Sequence, residues 1–294
     1  MPAKIDRIPE QRLQKLNNIR ALGIDPYPPR YTRTHSTKQA AELLAQAEKD
    51  GKTETVEVNI AGRIMAHRTM GKISFMDIHD SSGKIQLFLS KNELDDQSLS
   101  LLKELDIGDI VGAKGVVFRT RSSEPTIRVK NLTILSKSMQ PLPEKFHGLS
   151  DVEIRYRQRY LDLLTNEDVR HTFQTRSKVV SAIRRFMDGR GFLEVETPIL
   201  QAEAAGAVAK PFVTHHNQLD RDLYLRIETE LNLKRLIIGG FEKVYEIGRI
   251  FRNEGVSFKH NPEFTTMESY EAYADYNTVM VMVEDMVSSV ALEV

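Results

Sequence analysis

The spacing of apolar residues changes rhythm along the chain. Ile8 to Leu22 and Lys38 to Lys49 are rich in helix formers, and GIDPYPPRY (23–31) between them carries too much proline to be helical. From Glu54 onward apolar and polar residues alternate. Five segments predict strands: VEVNIAGRIMAHR (56–68), KISFMDIHD (72–80), KIQLFLS (84–90), DIVGAKGVVFRT (109–120) and PTIRVKNLTILS (125–136). DSSG (80–83) predicts a tight connection, and DDQSLSLLKEL (95–105) predicts a short helix between the third and fourth strands.

Five strands with a helix after the third predict an OB-type barrel. Alternation sorts its faces: Ile85, Leu87 and Leu89 form one face of the third strand and Met76 and Ile78 one face of the second. Phe75 therefore shares its face with Asp77 and His79, and Gln86 and Phe88 point away from the core. An aromatic among polar neighbours on such a barrel either stacks on a base of single-stranded nucleic acid or packs beneath a loop. SMQPLPEKFHGLS (138–150) has no periodicity and reads as an interdomain linker.

A different region follows. Phe173, Val179, Val180, Ile183, Phe186 and Met187 form a helical stripe between His171 and Arg190, and Gly189 and Gly191 can end that helix. FLEVETPIL (192–200) predicts a strand, Glu230 to Ile238 a helix, and Lys243 to Arg252 a strand. The fold class expected is α+β, the barrel being followed by a mostly antiparallel sheet. The expected domains are a helical extension (1–53), the barrel (54–137), the linker (138–150) and the sheet domain (151–294).

Composition narrows the setting. Hydrophobic residues are 40% and charged residues 28% of 294, the profile of a globular protein. No apolar run could span a bilayer, no signal-peptide core stands at the start, and there is no cysteine, so a cytoplasmic protein is expected. The 41 basic and 41 acidic residues cancel, so any phosphate contact must be local. Arg119, Arg121, Arg128, Lys130 and Lys137 against the single acid Glu124 make one candidate patch, or else a charged strand edge.

The chemistry concentrates in FRNEGVSFKHNPEFTTMESYE (251–271). VYEIGRIFRN and EFTTMESYEAY read as strands joined by EGVSFKHNP, with Arg252 and Glu254 on one face of the first and Phe264, Thr266, Glu268 and Tyr270 on one face of the second. Such a hairpin can offer a guanidinium to a phosphate or carboxylate, a carboxylate and phenol to an ammonium, an aromatic ring to a purine, and His260 to outer phosphates. No GxxxxGK or GxGxxG loop occurs, so any nucleotide must be held largely by side chains.

The string FRNEGVSFKHNPEF resembles motif 2 of the class II aminoacyl-tRNA synthetases in its lysyl form, and GFLEVETPIL with its preceding helix resembles motif 1. KPFVTHHNQLDRDLYLRIETELNLKRLIIGGF, RYRQRYLDLL and MGKISFMDIHDSSGKIQLF extend the resemblance over most of the chain. It implies lysine–tRNA ligation: activation of L-lysine by ATP, then transfer to tRNA(Lys). The alternative is a non-catalytic tRNA-binding fragment or paralogue; an aspartyl or asparaginyl enzyme fits Glu268 with Tyr270 less well.

The resemblance also implies roles. Arg252 would be the catalytic cation, touching the lysine carboxylate and the α-phosphate. Glu254, His260, Asn261 and Phe264 would join it in binding ATP. Gly206, Glu230 and Glu268 would surround the α-ammonium, with Tyr270 at the ε-ammonium. Arg68, Phe75, Gln86 and Glu124 would read the anticodon. A homodimer through the motif 1 region is expected, and Mg2+ with ligands beyond residue 294. The resemblance further implies that the chain is an amino-terminal portion without motif 3, inactive alone. Ala205-Gly206 and Glu228-Thr229 stand where the family has a glycine pair and Ala-Pro, changes expected to affect packing beneath the ligand residues.

Overall fold

The computed structural model describes residues 7–51, 57–143, 149–257 and 259–294, and the chain divides into two units between Thr165 and Asn166. In the first unit α1 (Arg7–Ala21) and α2 (Thr37–Lys49) precede a closed barrel of β1 (Glu57–Met70), β2 (Ile73–His79), β3 (Lys84–Ser90), β4 (Ile110–Arg119) and β5 (Pro125–Ser136). The order around it is β1-β2-β3-β5-β4, with β3 and β5 parallel and the other neighbours antiparallel. The predicted helix is present as α3 (Asp96–Leu102), capped by the Asp95 carboxylate accepting from the Ser98 amide at 2.7 Å.

Period-two alternation is what closes this barrel. Ile60, Ile64, Met76, Ile78, Leu87, Leu89, Ile127 and Ile134 are fully enclosed, while their neighbours along each strand face outward. Two short helices, α4 (Val152–Arg157) and α5 (Arg159–Thr165), complete the unit. Of the proline-rich stretch, 138–143 and 149–150 form neither helix nor strand; 144–148 lie outside the described residues, as does the onset of alternation at 52–56.

The basic patch read from sequence is smaller than expected. Lys137 is fully buried, bonded to Asp106 at 2.6 Å and Asp109 at 2.8 Å, and Arg119 is paired with Glu48. All three acids lie far along the chain from their partners, which alternation within one strand cannot reveal.

The second unit holds α6 (Glu167–Gly189), β6 (Leu193–Glu194), β7 (Leu200–Gln201), β8 (Val213–His216), β9 (Arg221–Leu225), α7 (Glu230–Ile238), β10 (Lys243–Phe251), β11 (Glu263–Glu271) and α8 (Tyr276–Glu293). They form two three-stranded sheets, β11-β10-β6 and β7-β9-β8. FLEVETPIL is therefore not one strand: Leu193–Glu194 pairs in parallel with β10, and Leu200–Gln201 pairs with β9 in the other sheet. Pro198, which has no N–H to give a ladder, lies between them.

Only the end of the α6 stripe packs inward: Met187 is fully buried with Ile183 and Phe186 beside it, and Phe173 is exposed. Tyr245 of β10 is fully enclosed and donates its hydroxyl to Asp188 at 2.8 Å, tying the central strand to α6. Among the described residues no helix is long and apolar enough to cross a membrane.

Candidate functional site

The β10–β11 hairpin sets the geometry of the second unit. Its register places Gly248 opposite Thr266, Glu246 opposite Glu268, and Val244 opposite Tyr270, so Phe264, Thr266, Glu268 and Tyr270 share one face as expected. The first strand ends sooner than the sequence reading, at Phe251. The Arg252 amide still donates to the Pro262 carbonyl at 2.8 Å, but Pro262 has no N–H to return, and the ladder stops. Arg252 and Glu254 thus stand in the loop, placed by that bond rather than by strand alternation.

Five residues expected to bind a nucleotide, Arg252, Glu254, His260, Asn261 and Phe264, line a single cavity of about 200 Å3 with Lys259. The Arg252 guanidinium lies 5.4 Å from the Phe264 ring centroid, and its Nε donates to the Ile227 carbonyl at 3.4 Å. His260 Nδ1 and Ser257 Oγ are 2.8 Å apart, which fixes the imidazole in the loop. A cation beside an aromatic face, rimmed by two more basic side chains, suits an aromatic base carrying phosphates.

Further along the same hairpin face is an acidic group. The amide of Thr229, at the start of α7, donates to Glu268 Oε1 at 3.4 Å. Glu230 is bonded to Lys234, whose ammonium also lies 5.8 Å from the Tyr270 ring centroid. Burial first, then the carboxylates of Glu230 and Glu268, push the Tyr270 phenol up to about 12. The bond from Lys234 holds Glu230 below the ordinary carboxylate range. The pocket therefore already holds one alkylammonium, the chain's own, on a carboxylate and an aromatic face.

Glu228, which the sequence marks only as a change in packing, is a further member of this group. It is 6% exposed and accepts a bond from the Glu230 amide. Burial first, and the charges of Glu268 and Glu230, raise its pKa, the Glu230 amide opposing them. A Cβ built on Gly206 would meet the Glu228 carboxylate, and Gly206 has φ +99°, a backbone conformation that favours glycine. Gly206, Glu228, Glu230, Glu268 and Tyr270 thus form one group. The only sequence signal was a third glutamate two residues before Glu230, at a position that no periodicity marked.

On this same face, where Glu246 stands opposite Glu268, Arg226 and Glu246, each 3% exposed, form an ion pair at 2.5 Å, and Arg226 also donates to the Arg249 carbonyl at 2.9 Å. Glu246 accepts from Thr197 at 2.7 Å, which makes the pair a strut between β10 and the segment after β6. A Cβ on Gly248 would lie 2.2 Å from the Arg226 guanidinium, so this strand position must be bare. Among the described residues no three His, Cys, Asp or Glu are grouped to hold a metal ion.

On the barrel, Arg68, Phe75, Gln86 and Glu124 all line one cleft of about 910 Å3. Gln86 donates to Glu124 Oε2 at 3.2 Å and accepts from Thr126 at 3.2 Å; Arg68 is 3.7 Å from Asp77. Phe75 is half-buried in this cleft, whose lining also includes Thr120, Arg121 and Ser122 of the β4–β5 connection. Its ring is 5.5 Å from Phe88, which is 6.0 Å from Phe118, and Arg128 lies 4.9 Å over Phe118. Phe118 was not among the expected site residues, and Arg128 was named only in the basic patch; closure of the sheet, which places β5 beside β3 and β4 beyond it, adds them to this cleft.

Comparison with known proteins agrees with this layout. Residues 151–294 match the family of class II tRNA synthetases (D, K and N), and residues 58–135 match the OB-fold nucleic acid binding domain. A lysine–tRNA ligase of Dehalococcoides mccartyi (strain ATCC BAA-2266 / KCTC 15142 / 195) is 61% identical over 284 residues, covering 97% of this chain and 57% of that protein. Lysine–tRNA ligases of Pelotomaculum thermopropionicum and Bacillus cytotoxicus are 54% and 51% identical, with 96% of this chain and 54% and 57% of theirs covered. The chain thus spans little more than half the length of these relatives.

Proposed function

Because the chain belongs to the class II tRNA synthetases (D, K and N), we propose that it serves lysine–tRNA ligation, its second unit handling ATP and L-lysine and its barrel the anticodon of tRNA(Lys). The observation that carries this reading is the shared hairpin. One face offers a phosphate-and-ring cavity at Arg252 and Phe264 and an ammonium pocket at Glu230, Glu268 and Tyr270, as an amino acid beside ATP requires.

The chemistry needs no general base. A carboxylate oxygen of lysine attacks the α-phosphorus of ATP, the bond to pyrophosphate breaks, and lysyl-adenylate forms. Arg252 neutralises charge on both reacting groups, and the Glu230–Glu268–Tyr270 pocket orients the amine. Magnesium would assist departure of pyrophosphate when bound; among the described residues no three His, Cys, Asp or Glu are grouped to hold it.

Residues 54–137 would serve as the RNA domain, 138–150 as linker and 151–294 as the catalytic domain. A cytoplasmic homodimer through the motif 1 region belongs to the same reading. Lysine-dependent exchange of pyrophosphate into ATP tests it. In a complete enzyme that contains this stretch, exchange should fall at least about 100-fold for Arg252→Ala, with tRNA binding retained. Exchange at the wild-type rate in that variant would sink the assignment. Tight tRNA binding with no exchange by the parent chain would favour a binding module.

A further inference from the structure

The β1–β2 hairpin has two working faces. Arg68 and Phe75, paired across its strands, face the aromatic cleft. The next pair, Thr69 and Ser74, faces the other way and lines a second cleft of about 460 Å3, with His67 on the same side. The far wall is α3 and the segment after it, where Leu102 and Leu105 form an apolar floor. Thr69 Oγ and Ser74 Oγ are 3.1 Å apart, the first exposed at the mouth and the second buried behind it.

The charge of this second cleft is uneven. Lys15, Lys91 and Lys103 line it against one acid, Asp106. That acid is already shared between Lys15 and Lys137, each at 2.6 Å. Lys91 and Lys103 are exposed and have no ion-pair partner among the described residues. At the hairpin tip the Lys91 amide donates to the Lys72 carbonyl at 3.0 Å, which sets a further exposed lysine beside it. Unpaired cations on the rim of a half-apolar, hydroxyl-lined groove suit a sugar-phosphate chain better than an uncharged ligand.

We infer that a single RNA strand crosses the tip of the β1–β2 hairpin, its bases stacked in the Phe75 cleft and the phosphates of the flanking nucleotides held by Lys91 and Lys103 in the second cleft. The inference rests on the barrel's proposed RNA-binding role and adds to it a second contact area. It also assigns a use to Thr69, an exposed hydroxyl backed by Ser74 that can donate to phosphate or ribose oxygens. An acidic peptide would meet the same lysines but would have no reason to require Phe75.

The test is the salt dependence of binding between the full chain and a fluorescein-labelled tRNA(Lys) transcript. Each phosphate contact on a single strand contributes about 0.7 to the slope of log K against log salt. Lys91→Ala/Lys103→Ala should therefore make the slope shallower by about 1.4, and Phe75→Ala should weaken binding at every salt concentration without changing it. An anticodon trinucleotide, too short to cross the tip, should bind the parent and the double-lysine variant with the same slope. An unchanged tRNA slope in the lysine variant, with Phe75→Ala still weakened, overturns this inference and leaves the barrel's RNA role standing. Failure of the parent chain to bind tRNA removes both.

Discussion

The barrel and the hairpin unit solve the same problem, presenting polar side chains from a sheet, by different means. In the barrel, packing and recognition use opposite faces of the same strands. Ile78 and Leu87 are fully enclosed, while Phe75 and Gln86, one or three residues away, belong to the outer cleft. In the hairpin unit the apolar cluster is small, with Met187, Phe192, Tyr245 and Met282 at its centre, and every residue of β11 after Glu263 is only half-buried. The working face is itself built around the buried Arg226–Glu246 pair. A site on an apolar core tolerates changes beneath it by degrees, whereas a site on a buried charge pair depends on both partners being present.

The largest effect should come from breaking that pair. Arg226→Met leaves Glu246 buried without its partner and should cost the second unit about 3–5 kcal/mol, seen as loss of its urea transition while the barrel's remains. Adding Glu246→Leu should recover much of this. The matching change in the barrel, Leu87→Ala, should cost about 2–5 kcal/mol and shift only the barrel transition. If either variant moved both transitions equally, the two units would not be energetically separate.

The same contrast explains what could be read in the sequence. Alternation is a local signal, so the barrel strands, the helix after the third strand and the outward position of Phe75 and Gln86 were all legible. Phe118 was not, and Arg128 was legible only as part of a basic patch, because their meeting beside Phe88 depends on how the sheet closes. In the second unit the motif residues were legible by type, and the cavity gathers Arg252, Glu254, His260, Asn261 and Phe264. What stayed hidden were contacts at long sequence separation: Lys137 drawn inward by Asp106 and Asp109, the motif 1 segment split between two sheets, and Glu228 set against Gly206.

A functional version of the comparison should show the two sites to be independent. Phe75→Ala should weaken tRNA binding by about 1–3 kcal/mol, the worth of one stacked base, and leave ATP binding, measured by calorimetry, unchanged. Arg252→Ala should do the reverse. Loss of ATP binding in Phe75→Ala would mean that the barrel site and the hairpin site are coupled.

The smallest effect separates the regions by the sign of their pH response. On the barrel side burial raises Asp80, but bonds from Thr37 and Ser82 outweigh it and hold the carboxyl below its ordinary 3.8. That stability is present above pH 3.8 and is lost as pH falls through the lower folded value. Glu228 runs the other way. Burial and neighbouring carboxylates raise it above its ordinary 4.5, so its contribution is present below 4.5 and is lost as pH rises through the folded value. Mild acidification from neutral pH should therefore firm the second unit before it weakens the first, and Glu228→Gln should abolish that gain and stabilise the unit at pH 7. The same change should weaken L-lysine binding, since a third carboxylate that destabilises the empty pocket is compensated when an ammonium enters. A variant more stable at pH 7 but unchanged in lysine affinity would make Glu228 a cap for α7 and nothing more.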